Sequence, residues 1–356
     1  MITTAIRIEA FIKLGEELMI FGKANKNCVT PFNDAIQPAL VQAIGQSVDN
    51  NPWFTHANII QAITAIALNL SQQQLKDWLS RYDPELLISE NQCTIGIVMA
   101  GNIPLVGFHD LLCVLISGHK LIAKLSHNDR FLLPAIVKML ENIEPGFVGQ
   151  NTFTTGKLSG FEAVIATGSN NSARYFEYYF EKYPHIIRKN RNGIAIISGQ
   201  ETIQQLVALG EDVFTYFGLG CRNVSRIFLP EGYSIATILD NWEKHASIAN
   251  HSRYMNNYTY NRSVFLLNAT PHFDNGFVLL RPNDSFAAPI SVVNISYYKP
   301  DIDWQAYVAK NNSLIQCVVS NNFMHPLHVD FGNSQCPQLW DYADGVDTFQ
   351  FLLSLK

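Results

Sequence analysis

The sequence predicts an α/β protein organised around parallel sheets, and three observations carry that prediction. From residue 94 onward, short apolar runs recur without polar alternation, the pattern of strands covered on both faces. Helical segments with apolar residues at three- and four-residue spacing stand between those runs. Glycine, asparagine or proline marks the handovers, so the order strand, helix, strand, helix, strand reads as a parallel sheet with crossover helices.

The elements follow in order. The first 90 residues read mostly as helix, with apolar spacing over Ile6–Gly22, Thr55–Ser71 and Gln72–Ser80. Thr94–Ala100 is a continuous apolar strand that breaks at Gly101-Asn102-Ile103-Pro104, and a helix over residues 107–117 ends at Gly118. Lys120–Leu125 reads as a second buried strand. Asn128 is placed to cap a helix running through Leu140, and Phe161–Thr167 supplies a third strand before a helix carrying Ala173, Phe176 and Phe180. A second α/β unit begins after the charged turn at residues 188–193. It offers strands at Ile194–Ser198 and Ser225–Leu229, a helix from Thr202 to about Phe217 and helices around Trp242–Ala249, then strands at Ser263–Leu267, Phe277–Arg281 and Ile290–Tyr297.

Bulk properties set the limits. A chain of 356 residues exceeds one ordinary core, so two domains are expected. With 47% hydrophobic and 15% charged residues, it reads as a compact globular enzyme and not as a disordered chain. A net charge of -5 without a long Lys/Arg cluster argues against nucleic acid as a partner. No uncharged apolar run approaches the roughly 20 residues that span a bilayer, and the first residues lack a signal-peptide pattern. A cytoplasmic protein without a membrane span is therefore the expectation. Six cysteines (Cys28, Cys93, Cys113, Cys221, Cys317, Cys336) are scattered with no CxxC pair, which predicts free thiols and no zinc ribbon. Oligomeric state is left open.

Four short segments stand at strand ends and turns. They are Gly101-Asn102-Ile103-Pro104-Leu105, Lys124-Leu125-Ser126, Thr167-Gly168-Ser169 and Gly218-Leu219-Gly220-Cys221-Arg222-Asn223-Val224-Ser225-Arg226-Ile227. By residue type alone, Cys221 reads first as a small hydrophobe, Asn102 as a turn residue and Gly168-Ser169 as a helix start suited to phosphate. In order and approximate spacing, however, the four segments resemble the motifs of the aldehyde dehydrogenase superfamily, over about residues 90–320. Among its branches they are most similar to the acyl-CoA reductases that supply aldehyde to bacterial luciferase.

The resemblance implies an aldehyde-dehydrogenase-like α/β fold: a Rossmann-type parallel-sheet cofactor domain with N-terminal helices over residues 1–190, a second α/β catalytic domain over 191–320, and a tail over 321–356 packing back on the core. It implies Cys221 as the nucleophile that takes the acyl group as a thioester, a reactive acceptor of hydride. It assigns the Asn102 amide to the oxyanion beside the Cys221 backbone N–H, and Lys124, Ser126, Gly168 and Ser169 to a nicotinamide cofactor, NADPH or NADH. No metal ligand set is implied. Three departures accompany these matches. Where hydrolysing relatives carry a water-activating glutamate, this chain has His185-Ile186-Ile187-Arg188, which suits an enzyme that protects its thioester. The stretch that grips the nicotinamide ribose in the family is replaced by Ser285-Phe286-Ala287-Ala288-Pro289. The chain is also shorter than typical members, so the family dimer is not inferred.

Other candidates are weaker. His325 and His328 flank Pro326, which prevents a regular helix from presenting both rings together. Arg188, Lys189 and Arg191 could meet the extra phosphate of NADPH or coenzyme A, against the plainer reading of a solvated turn. The tail at residues 341–352 reads as ordered. The expected activity is thus NAD(P)H-dependent reduction of an acyl-CoA or acyl-carrier thioester to an aldehyde. The alternatives are an acyl-phosphate reductase of the same superfamily, a cysteine hydrolase pairing Cys221 with His185, His245 or His251, and a non-catalytic nucleotide- or acyl-CoA-binding protein.

Overall fold

A computed structural model describes residues 2–25, 37–87, 91–321 and 323–355; Cys28 lies outside the described residues. The chain divides into two compact units, one comprising Met1–Lys189 with Gln338–Lys356 and the other Asn190–Pro337.

The first unit opens with helices α1 (Thr4–Asn25), α2 (Pro38–Asn50), α3 (His56–Asn69), α4 (Gln72–Leu79) and the single turn α5 (Pro84–Leu87). On α1, Phe11, Leu14, Leu18 and Phe21 form a buried stripe at three- and four-residue spacing. Each such side chain contributes about 1.5–3 kcal/mol when removed from water. Thr55 and Ser71 start α3 and α4 by accepting hydrogen bonds from the N–H groups of Asn58 and Gln74. Helix α2, outside the helical spans read from apolar spacing, starts at Pro38 and buries Leu40, Ala43, Ile44 and Ser47.

Five parallel strands follow: β1 (Thr94–Val98), β2 (Lys120–Lys124), β3 (Asn151–Thr154), β4 (Ala163–Thr167) and β5 (His185–Arg188), in the spatial order β3-β2-β1-β4-β5. Helices α6 (Phe108–Ser117), α7 (Leu132–Ile143) and α8 (Asn170–Phe180) lie between successive strands. The strand order reverses between β1 and β4, which makes the carboxyl ends of those two strands the topological switch point of the sheet. Strand β3 was not expected; its four residues are too short and polar to stand out.

In the second unit β6 (Asn192–Ile196), α9 (Ile203–Phe214), β7 (Val224–Pro230), α10 (Ile235–Trp242), α11 (Ser252–Leu267), β8 (Phe273–Asp274), β9 (Leu279–Pro282), β10 (Val292–Tyr298), α12 (Trp304–Lys310), β11 (Ile315–Val319) and β12 (His328–Val329) build a seven-stranded sheet with its helices. The order is β12-β11-β6-β7-β10-β9-β8, with all neighbours parallel except the antiparallel pair β8-β9. Ala195, Ile227, Leu229, Val293 and Ile295 from the strands meet Leu206, Leu209, Ile238 and Trp242 from α9 and α10 in its core. A capping box, Thr202 with Gln205, fixes the start of α9.

Two local expectations need correction. Asn128 does not cap a helix: α7 begins at Leu132, while the Asn128 N–H donates to Ser126 Oγ inside a turn closed by a Ser126–Asp129 bridge. Ser263–Leu267 is the end of α11 and not a strand, because Phe265 is buried whereas Leu266 and Leu267 point to solvent; a five-residue apolar run cannot separate the two by pattern. The ordered tail forms α13 (Thr348–Leu353), which buries Phe349, Leu352 and Leu353 and belongs with the first unit.

Candidate active site

In the first unit the predicted residues cluster at one end of the sheet. Val98 at the end of β1 stands in register with Lys124 of β2 and with Ala166 of β4, so Gly101-Asn102, Lys124–Ser126 and Gly168-Ser169 all leave the sheet from neighbouring carboxyl ends. Asn102 and Ser169 are exposed; Lys124, Ser126 and Gly168 are half-buried. Ser169 caps α8, its hydroxyl accepting from the Ser172 N–H at 3.2 Å.

Two of these segments are in direct contact. A Cβ added to Gly101 would run into Oγ and Cβ of Ser126, so the absence of a side chain at residue 101 lets the Asn102 turn lie on the Lys124–Ser126 segment. Beneath that turn sits Asp129, a residue that sequence reasoning missed. Its Oδ2 accepts from the Leu105 N–H at 2.7 Å, and Leu105 itself holds a left-handed backbone (φ 59°) uncommon for a leucine. Burial pushes the Asp129 carboxyl up to about 7, only partly opposed by that N–H, and Oδ1 has no hydrogen-bond partner. The signal available in the sequence was an acidic residue four positions after a buried strand, too common to single out.

These residues suit an anionic dinucleotide: a lysine at a strand end, and the positive end of an 11-residue helix entered through a glycine at the switch point. Arg188, by contrast, is not available to a phosphate. It is buried, its guanidinium pairs with Asp110 at 2.7 and 2.8 Å and donates to Thr348 Oγ1 at 2.7 Å. Burial opposes its charge, but Asp110 outweighs that effect and the displacement is upward. Lys189 pairs with Glu177 at 2.8 Å, and Arg191 donates to the Asn312 carbonyl at 2.7 Å. Each member of the charge run thus has a partner within the protein, and buried Arg188 is not part of a solvated turn.

In the second unit Cys221 lies exposed on a turn between α9 and β7. Asn223 N–H donates to the Gly220 carbonyl at 3.1 Å to close the turn, and Arg222 Nε donates to the Ser334 carbonyl at 2.5 Å. Asp212, near the end of α9, accepts from the N–H groups of Gly332 and Ser334 at 2.7 and 2.8 Å and so fixes the segment that Arg222 meets. Burial raises the Asp212 carboxyl to about 6 against those two donors. Of the other thiols, Cys113 and Cys317 are buried and Cys336 is exposed. The Ser285–Pro289 stretch is tightly held: Asn294 Nδ2 donates to the Ser285 and Ala287 carbonyls, Ser225 Oγ to the Phe286 carbonyl, and the Arg226 guanidinium lies 5.1 Å from the Phe286 ring.

The histidines considered as bases have structural engagements. His245 Nε2 lies 2.9 Å from the Val207 carbonyl and its Nδ1 3.7 Å from Glu211, His251 Nδ1 accepts from the Tyr254 N–H at 3.3 Å while its ring lies 4.2 Å from that of Phe217, and exposed His185 turns Nδ1 to the Tyr183 carbonyl. Among the described residues, no three His, Cys, Asp or Glu side chains gather in a way that could hold a metal ion. His325 Nδ1 accepts from Leu327 N–H, and His328 Nε2 lies 2.9 Å from the Ser320 carbonyl. No described helix is long and apolar enough to cross a membrane.

No protein-family model matches the sequence, and no curated protein matches it. Solved structures do match in shape. Aldehyde dehydrogenase C from Pseudomonas syringae, solved with NAD+ and octanal, superposes with a TM-score of 0.60 at 10% identity over 91% of this chain and 73% of its own. The aldehyde dehydrogenase KauB from Pseudomonas aeruginosa gives 0.61 at 11% identity, over 90% and 73%. An aldehyde dehydrogenase from Bacillus cereus in complex with NAD+ gives 0.54 at 13%, over 90% and 72%. At such identities the likeness speaks of architecture alone: this chain has an aldehyde-dehydrogenase-like α/β fold.

Proposed function

We propose that the protein is a nicotinamide-dependent oxidoreductase that reduces an acyl thioester, with fatty acyl-CoA as the favoured substrate, to the aldehyde. The observation that carries this reading is the placement of Cys221: an exposed thiol on a turn pinned at Gly220, Arg222 and Asn223, in a fold shared with aldehyde dehydrogenases. Two further facts support it. Gly101-Asn102, Lys124–Ser126 and Gly168-Ser169 gather at the switch point of a parallel sheet, where dinucleotides bind. Strand β5 carries His185-Ile186-Ile187-Arg188 and no carboxylate to activate water against an acyl-enzyme.

In this reading Cys221 Sγ attacks the thioester carbon, the bond from that carbon to the coenzyme A sulfur breaks, and coenzyme A leaves with a proton. The Asn102 side-chain N–H and the Cys221 backbone N–H stabilise the oxyanion of the addition. Lys124, Ser126, Gly168 and Ser169 hold the nicotinamide dinucleotide, whose chemistry when bound in reduced form is to donate hydride. Cys221 keeps the acyl group from water until it is reduced, then releases the aldehyde and regains its thiol. The neighbour that binds NAD+ together with octanal supports a medium-length alkyl chain on this architecture.

The test is mass spectrometry of the full chain after mixing with a panel of acyl-CoAs without cofactor, followed by acyl-CoA-dependent oxidation of NADPH and NADH. An acyl adduct on Cys221 that disappears when NADPH is added is the expected result. Reduction of acyl phosphates but not acyl-CoA, acyl release without a nicotinamide, or activity retained by Cys221→Ala would each overturn it.

A further inference from the structure

We infer that Asn223 is the positioning residue of the Cys221 turn, holding the thiol in place from inside the second unit. The inference rests on the reading of Cys221 as nucleophile for its meaning, although its geometry stands without it.

The chain approaches Cys221 through an improbable path. Tyr216 (φ 53°, ψ 28°) and Phe217 (φ 59°, ψ 24°) are consecutive non-glycine residues in the left-handed region, followed by Gly218 at φ 76°. Such a non-glycine conformation is strained and persists only where its surroundings over-determine it. Asn223 supplies that determination. Its side chain is buried, 3% exposed, and its Oδ1 accepts the Gly220 N–H at 2.8 Å. Its Nδ2 donates to the carbonyls of Asp212, Val213 and Thr215 at 3.1, 3.3 and 2.9 Å, at the end of α9 and just beyond it. One amide therefore ties the end of α9, the entry to the kinked segment and the residue before Cys221 to a single point.

The backbone of Asn223 is anchored as well. Its carbonyl accepts the Gly193 N–H at 3.1 Å, and a Cβ on Gly193 would come within 2.5 Å of the Arg222 carbonyl oxygen and 2.8 Å of that of Asn223. The turn is thus pressed against β6 from below while the Asn223 amide braces it from the side. No other residue type fits: the site needs an acceptor for one N–H and two donors for three carbonyls in a short planar group. Aspartate would keep the acceptor and set a second carboxylate oxygen against those carbonyls. A one-ångström displacement of a reacting group can cost about 100-fold in rate, so a brace of this kind bears on chemistry as well as on folding.

The experiment compares wild-type protein, Asn223→Asp and the milder Asn223→Ser, each shown to be folded by its thermal transition. Two readouts are taken well below that transition: amide exchange of the peptide spanning residues 218–223, and the iodoacetamide alkylation rate of Cys221 relative to Cys336 in the same molecule. The expected result is exchange at the turn at least ten times faster and a relative Cys221 rate at least five-fold lower in Asn223→Asp, with Asn223→Ser between. A relative rate within two-fold of wild type in both variants would overturn the inference, and so would unchanged exchange at the turn. If wild-type Cys221 takes no acyl group from octanoyl-CoA while its alkylation still depends on Asn223, the nucleophile reading fails and the positioning role stands.

Discussion

Arg188 and Asp110 form a buried, two-pronged ion pair, Nη1 to Oδ2 at 2.7 Å and Nη2 to Oδ1 at 2.8 Å, that links the last strand of the first sheet to helix α6. Thr348, at the start of the C-terminal helix, completes the guanidinium's partners at Nη2. Removing one member of such a pair strands a buried charge. Arg188→Met should therefore destabilise the protein by about 3–5 kcal/mol, and Asp110→Leu added to it should recover most of the loss. Urea unfolding of both variants checks this, and an Arg188 variant that unfolds like wild type would show the pair to be dispensable.

Asp129 makes stability depend on pH in a stated direction. Its carboxyl is raised to about 7 in the folded protein from 3.8, and that of Asp212 to about 6, so the folded state retains protons that the unfolded chain has released. Stability should accordingly fall as pH rises from about 4 through 7, each unit of displacement corresponding to about 1.4 kcal/mol at most. Asp129→Asn keeps an acceptor for the Leu105 N–H and cannot ionise. Thermal unfolding between pH 5 and 8 should show a shallower decline for this variant, and parallel curves would rule Asp129 out as its source.

Gly101 and Ser126 are coupled by contact. Gly101→Ala places a methyl group against Ser126 Oγ and should cost about 1–3 kcal/mol, and Ser126→Gly in the same chain should restore most of it. A double-mutant cycle by denaturant unfolding measures the coupling, and additive single effects would show that the turn simply shifts away.

On the proposed function, Cys221→Ala should abolish acyl-CoA reduction altogether. If Asn102 is the oxyanion donor proposed above, Asn102→Ala should lower kcat by about 100- to 1000-fold with little change in the KM for NADPH. Steady-state kinetics separate these effects; a loss confined to the KM for NADPH would move Asn102 from the acyl group to the cofactor.

What the sequence determined was the run of buried strands and crossover helices, and the segments standing at their ends. Continuous apolar stretches such as Ile95–Val98 and Val164–Ala166, short, bounded by glycine turns and alternating with helical patterns, read as the middle of a covered parallel sheet, so residues 101–102, 124–126 and 168–169 were expected at strand ends. Local pattern failed where a short apolar run fits a helix end as well as a strand, as at Ser263–Leu267, and where a turn intervened before the helix, as at Asn128, whose backbone N–H is taken by Ser126 Oγ. Tertiary structure alone decided the rest. It closed Arg188 on Asp110, a residue 78 positions away, and made a residue read as part of a solvated turn, or as a phosphate ligand, into a buried brace. It slid Asp129 under Leu105 and gathered three carbonyls around Asn223, because a buried polar group takes whichever partner the packed chain brings within reach, and the sequence does not record that proximity.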